Sequence, residues 1–403
     1  MDKLKVNYTD NLCEPTKESH PWISFSASDL NDLLPATWIG LGEARAMCRQ
    51  LAEAPLPPDT AQQLYQVALV KGVQGTTAIE GNTLTEEQIS GILQGTYTAP
   101  PSRAYQEREV RNVIDALNLI ADQLVGGQEL RITPVLICEF NRQILVNTEY
   151  EEDAVPGEVR RHSVGVGRYR GAPAEDCDYL LGRLADWLES DTFESEDPVI
   201  AFALAIARAV CAHLYIAWIH PFGDGNGRTA RLLEFVLLAR TGLVPLPAAH
   251  VLSNHYNLTR DQYQRELARA GRTKSITGFV VYAAQGLIDG LYEQTELVTE
   301  HQKRITWVNY VHETINRFPK GSNRTRQLAL ALALPSGRVV TQAALPGLTP
   351  EVAAAYAKVG PRTLSRDLNR LAEAELMVRA GGGWKSNEEI LKAPSIPASD
   401  HQA

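Results

Sequence analysis

Three observations predict a mainly α-helical fold for this chain. Apolar residues recur every three or four positions through most of residues 36–317, the period of a helix face. β-Type alternation is confined to one short segment between residues 155 and 173, which reads as a hairpin. Residues 334–387 give helix, turn, helix and two short strands, the order of a winged helix-turn-helix. At 403 residues the chain exceeds one ordinary core, so several domains are expected. The expected divisions are a helical region over 1–110, a helical core over 111–300, the winged helix-turn-helix over 301–392, and a loose tail over 393–403.

In chain order, residues 1–35 are polar and turn-rich, an extended arm. Helices are predicted over ATWIGLGEARAMCRQLAEA (36–54), DTAQQLYQVALVKGVQGTTAIEGN (59–82), TEEQISGILQG (85–95) and SRAYQEREVRNVIDALNLIADQL (102–124). Thr, Asp and Ser occupy their N-cap positions. PGEVRRHSVGVGRYRGAP (156–173) alternates β-branched residues with Ser and Gly, framed by Gly and Pro. Helices resume at 177–190 and at DPVIAFALAIARAVCAHLYIAWI (197–219), which is apolar nearly all round and hence the buried central helix. A further helical stretch covers about 258–317. In the C-terminal unit, Arg362 to Leu376 is the expected recognition helix and Met377 to Ser386 the wing.

Composition narrows the function classes. Apolar content of 44% and charged content of 22% are those of a globular chain. The net charge of −9 argues against a protein that coats nucleic acid or membrane with its whole surface, and leaves room for a local basic patch. Five cysteines, never in C-x-x-C spacing, read as reduced thiols without a disulfide framework or a zinc site. There is no apolar leader and no run of 18 apolar residues. We therefore expect a cytoplasmic protein with no membrane partner.

The chemistry concentrates in HPFGDGNGRTAR (220–231). Pro and Gly forbid a helix there, yet LLEFVLLARTG (232–242) reads as one, so a loop opens a helix and gathers polar groups at its N-terminus. Gly225, Asn226 and Gly227 let consecutive N–H groups face one spot, an anion nest. Arg228 and Arg231 are three apart and share a helix face, adding two forks for phosphate oxygens. Asp224 beside that nest calls for a cation between it and a phosphate, and magnesium is the natural one. His220, with an ordinary pKa of about 6.5, suits a general base. Taken singly, each residue fits an ordinary Gly-rich turn. Together they describe attack of a hydroxyl on a nucleotide phosphate.

The stretch resembles the signature of the Fic (Fic/Doc) family, HPFx(D/E)GNGRxxR, at every specified letter. TTAIEGN (76–82) is similar to the family's inhibitory motif, (S/T)xxxE(G/N). PGEVR (156–160), followed by Val164, Gly165, Val166 and Gly167, is similar to its target-binding flap. The resemblance covers roughly residues 35–290. It implies a Fic-type helical core with a short β-hairpin flap, and transfer of AMP from ATP to a Ser, Thr or Tyr hydroxyl of protein substrates, the chain itself included. On that resemblance, His220 deprotonates the hydroxyl and Asp224 holds Mg. Gly225, Asn226, Gly227, Arg228, Thr229 and Ala230 line the nucleotide, and Arg231 takes the γ-phosphate. Glu80, with Thr76 one turn before it, holds the enzyme off by pairing with Arg231, and a water oriented by Glu80 gives a reverse, AMP-removing activity. Phe222 anchors the loop, and His213 packs in the central helix. Where the family has paired tyrosines near the adenine, this chain has Tyr263-Gln264.

Two alternatives stay open. A winged-helix DNA-binding regulator whose Fic core only senses nucleotide would share most of these features, although a sensor has no need of a base at position 220. Lys358, Arg362, Arg366 and Arg370 stand against Asp367 only, which suits a phosphate-contacting helix. Winged helices also bind protein partners or form homodimers.

Overall fold

The computed structural model describes residues 14–166 and 169–392. Gly167 of the flap lies outside the described residues, as does the tail. The chain divides into two compact units, one ending at Glu296 and the other beginning at Leu297.

The helices of the first unit are α1 (Glu14–Ser19), α2 (Pro35–Glu53), α3 (Pro58–Ala78), α4 (Glu86–Gln94), α5 (Ala104–Val125), α6 (Pro134–Leu145), α7 (Cys177–Leu188), α8 (Pro198–Ile219), α9 (Asn226–Ala239), α10 (Leu246–Ala249), α11 (Val251–Leu258) and α12 (Arg260–Thr273), followed by the start of α13 (Thr277–Asn316). The caps explain several boundaries. Asp197 accepts from the N–H groups of Val199 and Ile200 ahead of α8, satisfying donors that have no partner inside the helix. Thr85 and Gln88 close a capping box on α4, and Gly95 ends that helix in the left-handed conformation. α8 is buried along most of its length and packs against α2, α7, α9 and α12. Among the described residues it alone is long and apolar enough to cross a bilayer, yet 72% of its most apolar window is buried in this core.

Three segments differ from the sequence expectation, one of them being residues 246–258, where α10 and α11 form although no element was expected before about residue 258. The polar arm contributes α1 and buries Ile23, Phe25, Ala27, Leu30 and Leu33 in the common core; its apolar residues are too widely spaced to read as an element, but they pack. The stretch 126–154, given no element from sequence, contains α6, capped by Thr133. Asn141 sits on its buried face between Ile137, Phe140 and Ile144 and blunts the apolar stripe.

The flap is a two-stranded antiparallel hairpin, β1 (Gly165–Val166) with β2 (Tyr169–Arg170). Gly171 N–H extends it to the Val164 carbonyl at 3.2 Å. Tyr169 Oη donates to the Trp218 carbonyl at 2.6 Å, anchoring the hairpin on α8.

The second unit completes α13 and adds α14 (Ser322–Ala333), α15 (Pro350–Tyr356), α16 (Pro361–Glu373) and the hairpin β3 (Met377–Ala380) with β4 (Gly383–Ser386). Val340 bridges to Trp384 on the hairpin's outer side. Trp307, Leu330, Val352, Leu364, Leu368, Leu371 and Trp384 form its separate core. The helix, turn, helix, hairpin order follows the sequence expectation, with α16 where the recognition helix was placed.

Candidate active site

α8 ends abruptly at Ile219. His220 takes the left-handed conformation (φ 52°, ψ 58°) while its N–H still closes the last turn on Ile216 at 2.8 Å. A non-glycine residue there is uncommon and needs external support. Arg160 supplies it. Its Nε donates to the His220 carbonyl at 2.6 Å, Nη1 to His162 at 2.6 Å, and Nη2 to the carbonyls of Ala172 and Ile219. Its backbone N–H donates to Pro221 at 2.9 Å. A Cβ at Gly171 would lie 2.8 Å from His220 Cβ, so only glycine lets the base of the flap lie against the histidine.

Burial lowers the His220 pKa to about 4. A hydrogen bond to the Ala217 carbonyl opposes the shift, the Arg160 charge adds to it, and Glu80 and Asp224 oppose it. The ring is therefore neutral at physiological pH. Donation to Ala217 from one nitrogen leaves the other with its lone pair, the form a general base requires. Arg160→Gln removes a nearby cation and is expected to raise the His220 pKa from about 4 toward its ordinary value. Titration of the imidazole followed by NMR tests this; an unmoved pKa would assign the whole shift to burial.

The loop after His220 is held by side chains rather than by its glycines alone. Asn226 Oδ1 accepts from Phe222 N–H at 2.9 Å, and its Nδ2 donates to the Phe222 carbonyl at 2.8 Å. Phe222 is buried beneath. Asn141 Nδ2 donates to the Asp224 carbonyl at 2.9 Å and to Thr229 Oγ1 at 3.3 Å, and its Oδ1 accepts from Gly157 N–H. One amide on α6 thus ties the loop, α9 and the root of the flap. Gly225 caps α9 at φ +76°, leaving the first-turn N–H groups of α9 pointed outward as an anion nest. Asp224 accepts through Oδ1 from Gly225 N–H and from Arg228 Nη2; among the described residues its other oxygen accepts none.

Arg228 and Arg231 are buried beside the nest. Arg228 pairs with Asp224 at 3.2 Å and with Glu109 of α5 at 3.5 Å. Arg231 Nη2 donates to Glu80 Oε1 at 2.5 Å and to the Thr76 carbonyl at 2.9 Å. The Nε–H groups of both arginines lack an acceptor among the described residues, spare donor capacity beside the nest. Glu80 follows the end of α3. A Cβ at Gly227 would collide with its Oε1, so the carboxylate lies directly over the first turn of α9. Burial alone would raise the Glu80 carboxyl; Arg231, with Arg228 and Arg260 behind it, outweighs burial and holds it below the ordinary value.

Three residues expected at the nucleotide sit behind the anion nest. Thr229 and Ala230 are buried, Thr229 with its hydroxyl taken by Asn141. Tyr263 is buried, stacked on Tyr256, with its hydroxyl 2.9 Å from His213 Nε2 and hydrogen-bonded to Arg231. It braces Arg231 and presents no face for a base. His213 in turn reaches Glu234 at 3.2 Å, and Glu234 accepts from Tyr256. The Asn226 side chain is likewise spent on Phe222, leaving its backbone N–H for an anion. Arg160, Asn141 and Glu109 were not identified from sequence. The only trace of Arg160 there was its place in PGEVR.

Residues 131–238 match the Fic/DOC family. Over those residues the chain is similar to a Fic domain. That domain holds α6, the flap, α7, α8, the motif loop and most of α9; Glu80 and Tyr263 lie outside the matched stretch. Among curated relatives, the protein adenylyltransferase fic-1 of Caenorhabditis elegans is 34% identical over 174 residues, 43% of this chain and 32% of the relative. The protein adenylyltransferase Fic of Drosophila willistoni is 35% identical over 179 residues, 44% and 34% of the two chains. The chain thus spans about a third of the length of the curated relatives it matches. Among solved structures, a Fic family protein from Desulfovibrio desulfuricans G20 aligns with a TM-score of 0.54 at 22% identity, covering 88% of this chain and 96% of that one. A C. elegans Fic-1 fragment aligns with a TM-score of 0.54 at 24% identity, covering 66% and 73%. At these identities the structural likeness speaks for the fold of the Fic domain and its helical surroundings.

Proposed function

We propose that this chain is a protein adenylyltransferase, moving AMP from ATP to a Ser, Thr or Tyr hydroxyl of protein targets and of itself, and restrained by Glu80. The observation that carries the reading is a neutral His220, with one nitrogen free, held rigidly beside an anion nest flanked by two buried arginines. The match to relatives named as protein adenylyltransferases supports it. In the proposed step the free His220 nitrogen takes the hydroxyl proton and the hydroxyl oxygen bonds to the α-phosphorus. The bond from that phosphorus to the bridging oxygen breaks, and pyrophosphate leaves. The nest and Arg228 hold phosphate oxygens, and Arg231, once freed from Glu80, takes the terminal one. A pure nucleotide sensor would have no use for a neutral histidine so placed.

Asp224 fits a magnesium site. It stands next to the nest with one oxygen unpartnered, and magnesium typically takes one or two carboxylates and completes its shell with phosphate oxygens and water. Magnesium bound there would offset phosphate charge. Asp224→Asn is expected to lose most activity together with its magnesium dependence, because a neutral amide is a poor ligand for a hard dication. Wild-type turnover with an unchanged magnesium titration would remove Asp224 from that role.

The flap supports recruitment of an extended target segment by strand addition. The Val164 carbonyl is used by Gly171, so Val164→Pro deletes an N–H without breaking that bond. It should depress modification of protein targets more than ATP binding; equal losses would indicate misfolding.

The overall reading is tested with ATP labelled at either the α- or the γ-phosphate, incubated with the pure protein and a cell lysate. Protein-bound label is expected from the α position only. Label from the γ position would mean phosphoryl transfer and would overturn the proposal.

A further inference from the structure

The C-terminal unit is of opposite electrostatic character to the rest. Residues 297–403 hold fourteen Lys and Arg against nine Asp and Glu, in a chain whose net charge is −9. Three of those arginines, Arg362, Arg366 and Arg370, lie on one element. α16 buries Leu364, Asp367, Leu368 and Leu371 against its own core. Asp367 is the sole acid in its first three turns, and it is 1% exposed. Arg326 Nε donates to it at 2.7 Å, Gln327 Nε2 at 2.8 Å and Tyr356 Oη at 3.1 Å. The acid that broke the basic run in the sequence therefore spends its charge inside the fold and does not dilute the outer surface.

What remains outside is Arg362, Arg366 and Asn369, all exposed, at the i, i+4, i+7 spacing of a single helix stripe. Lys358 is exposed in the turn before α16, and Arg370 flanks the stripe, stacked over Phe318 at 4.7 Å. Among the described residues, Lys358, Arg362 and Arg366 form no ion pair. Arg379 on β3 is exposed and braced over Trp384 at 5.1 Å, and the hairpin that carries it turns through Gly381 and Gly382 at positive φ. A helix-turn-helix thus leads with a basic stripe, beside a hairpin carrying a further cation.

We propose that this unit binds duplex DNA, with α16 in the major groove. A helix fits that groove, arginine pairs with the O6 and N7 of guanine, and asparagine with the N6 and N7 of adenine. Arg362, Arg366 and Asn369 supply those two chemistries on one stripe, while Lys358, Arg370 and Arg379 are placed for phosphates. A protein partner would be served as well by apolar residues, and the stripe has none. The inference is independent of adenylyl transfer and stands or falls separately from it.

The test uses the full-length protein and a fluorescent 30-base-pair duplex of mixed sequence, followed by anisotropy. Binding is expected at 50 mM salt, weakening about 40-fold by 200 mM, as release of counterions at about three phosphate contacts requires. Arg362→Ala/Arg366→Ala should weaken binding at least tenfold at low salt with the Tm unchanged, since neither side chain is part of the core. No binding at low salt, or equal binding by the double variant, overturns the proposal. So does a concentration-dependent self-association abolished by the same double variant in place of DNA binding, which would make the stripe a protein interface.

Discussion

Glu80→Gly is expected to raise self-modification by at least tenfold under matched ATP and magnesium. The wild-type carboxylate holds Arg231 at 2.5 Å and overlies Gly227, so it occupies the ground where the nest and Arg231 would meet the end of a polyphosphate. A two-charge hydrogen bond of this kind is among the stronger ones, and it is partly screened here because the Glu80 side chain is 35% exposed. On the proposed reading, ATP that binds around this obstacle would be displaced, and misplacement of the reacting atoms costs orders of magnitude in rate.

The proposed restraint would involve the helix as well as its acid. A Cβ at Gly72 would lie 2.6 Å from His250 Nδ1, and one at Gly75 would collide with the Ser253 carbonyl, so α3 approaches α11 at backbone distance. Arg260 Nη2 donates to the Ile79 carbonyl at 2.6 Å, while Arg231 takes that of Thr76. The carbonyl end of α3, partially negative, is thus fastened by two arginines. Deleting the carboxylate is expected to break only the Glu80 contact of Arg231, while the bonds from Arg231 to Thr76 and from Arg260 to Ile79 keep α3 in place.

The pH dependence follows from the direction of the Glu80 shift. A folded-state pKa below the ordinary value keeps the carboxylate ionised, so the proposed restraint would be present above that ordinary value and be lost as pH falls through the lowered one. Between pH 6 and 8 the ratio of variant to wild-type rate should be flat. If the wild type also removes AMP from modified protein, the variant should lose that activity, having no carboxylate to orient water. A variant no faster than wild type in initial-rate assays would remove Glu80 from this role.

His220→Ala is expected to cost about 10²–10⁴ in transfer rate, the usual worth of a positioned general base, with ATP binding largely intact. The proposed division of labour rests on placement: the histidine ends α8, whereas the nest and both arginines belong to α9 and keep their supports from Asn141, Asn226 and Tyr263. In the wild type, the acid limb of kcat/KM should fall near pH 4 instead of near 6.5, because His220 is protonated only below its lowered pKa. Rates and nucleotide affinity measured on the same preparations separate the two functions. Self-modification by His220→Ala at the wild-type rate would assign the proton to another group.

Much of this was legible in the chain itself. The 3.6-residue period placed the long helices. Pro and the Gly-rich run marked 220–227 as a loop opening a helix, and the spacing of Arg228 and Arg231 set them on one face. The order of elements in the C-terminal unit was readable for the same reason: each depends on neighbours within a few residues. Other features depend on partners carried by other elements of the chain, and only packing decided them. Arg160 holds His220 through four carbonyls, and no spacing rule links a cation to carbonyls. Asn141 ties three segments from a helix whose apolar stripe it interrupts. Tyr263 faces inward to Arg231 and His213, and Asp367 is buried on three donors. Local sequence determines which face of its own helix a polar side chain occupies. Whether that face meets solvent, a ligand or a buried partner is set by the elements the fold brings against it.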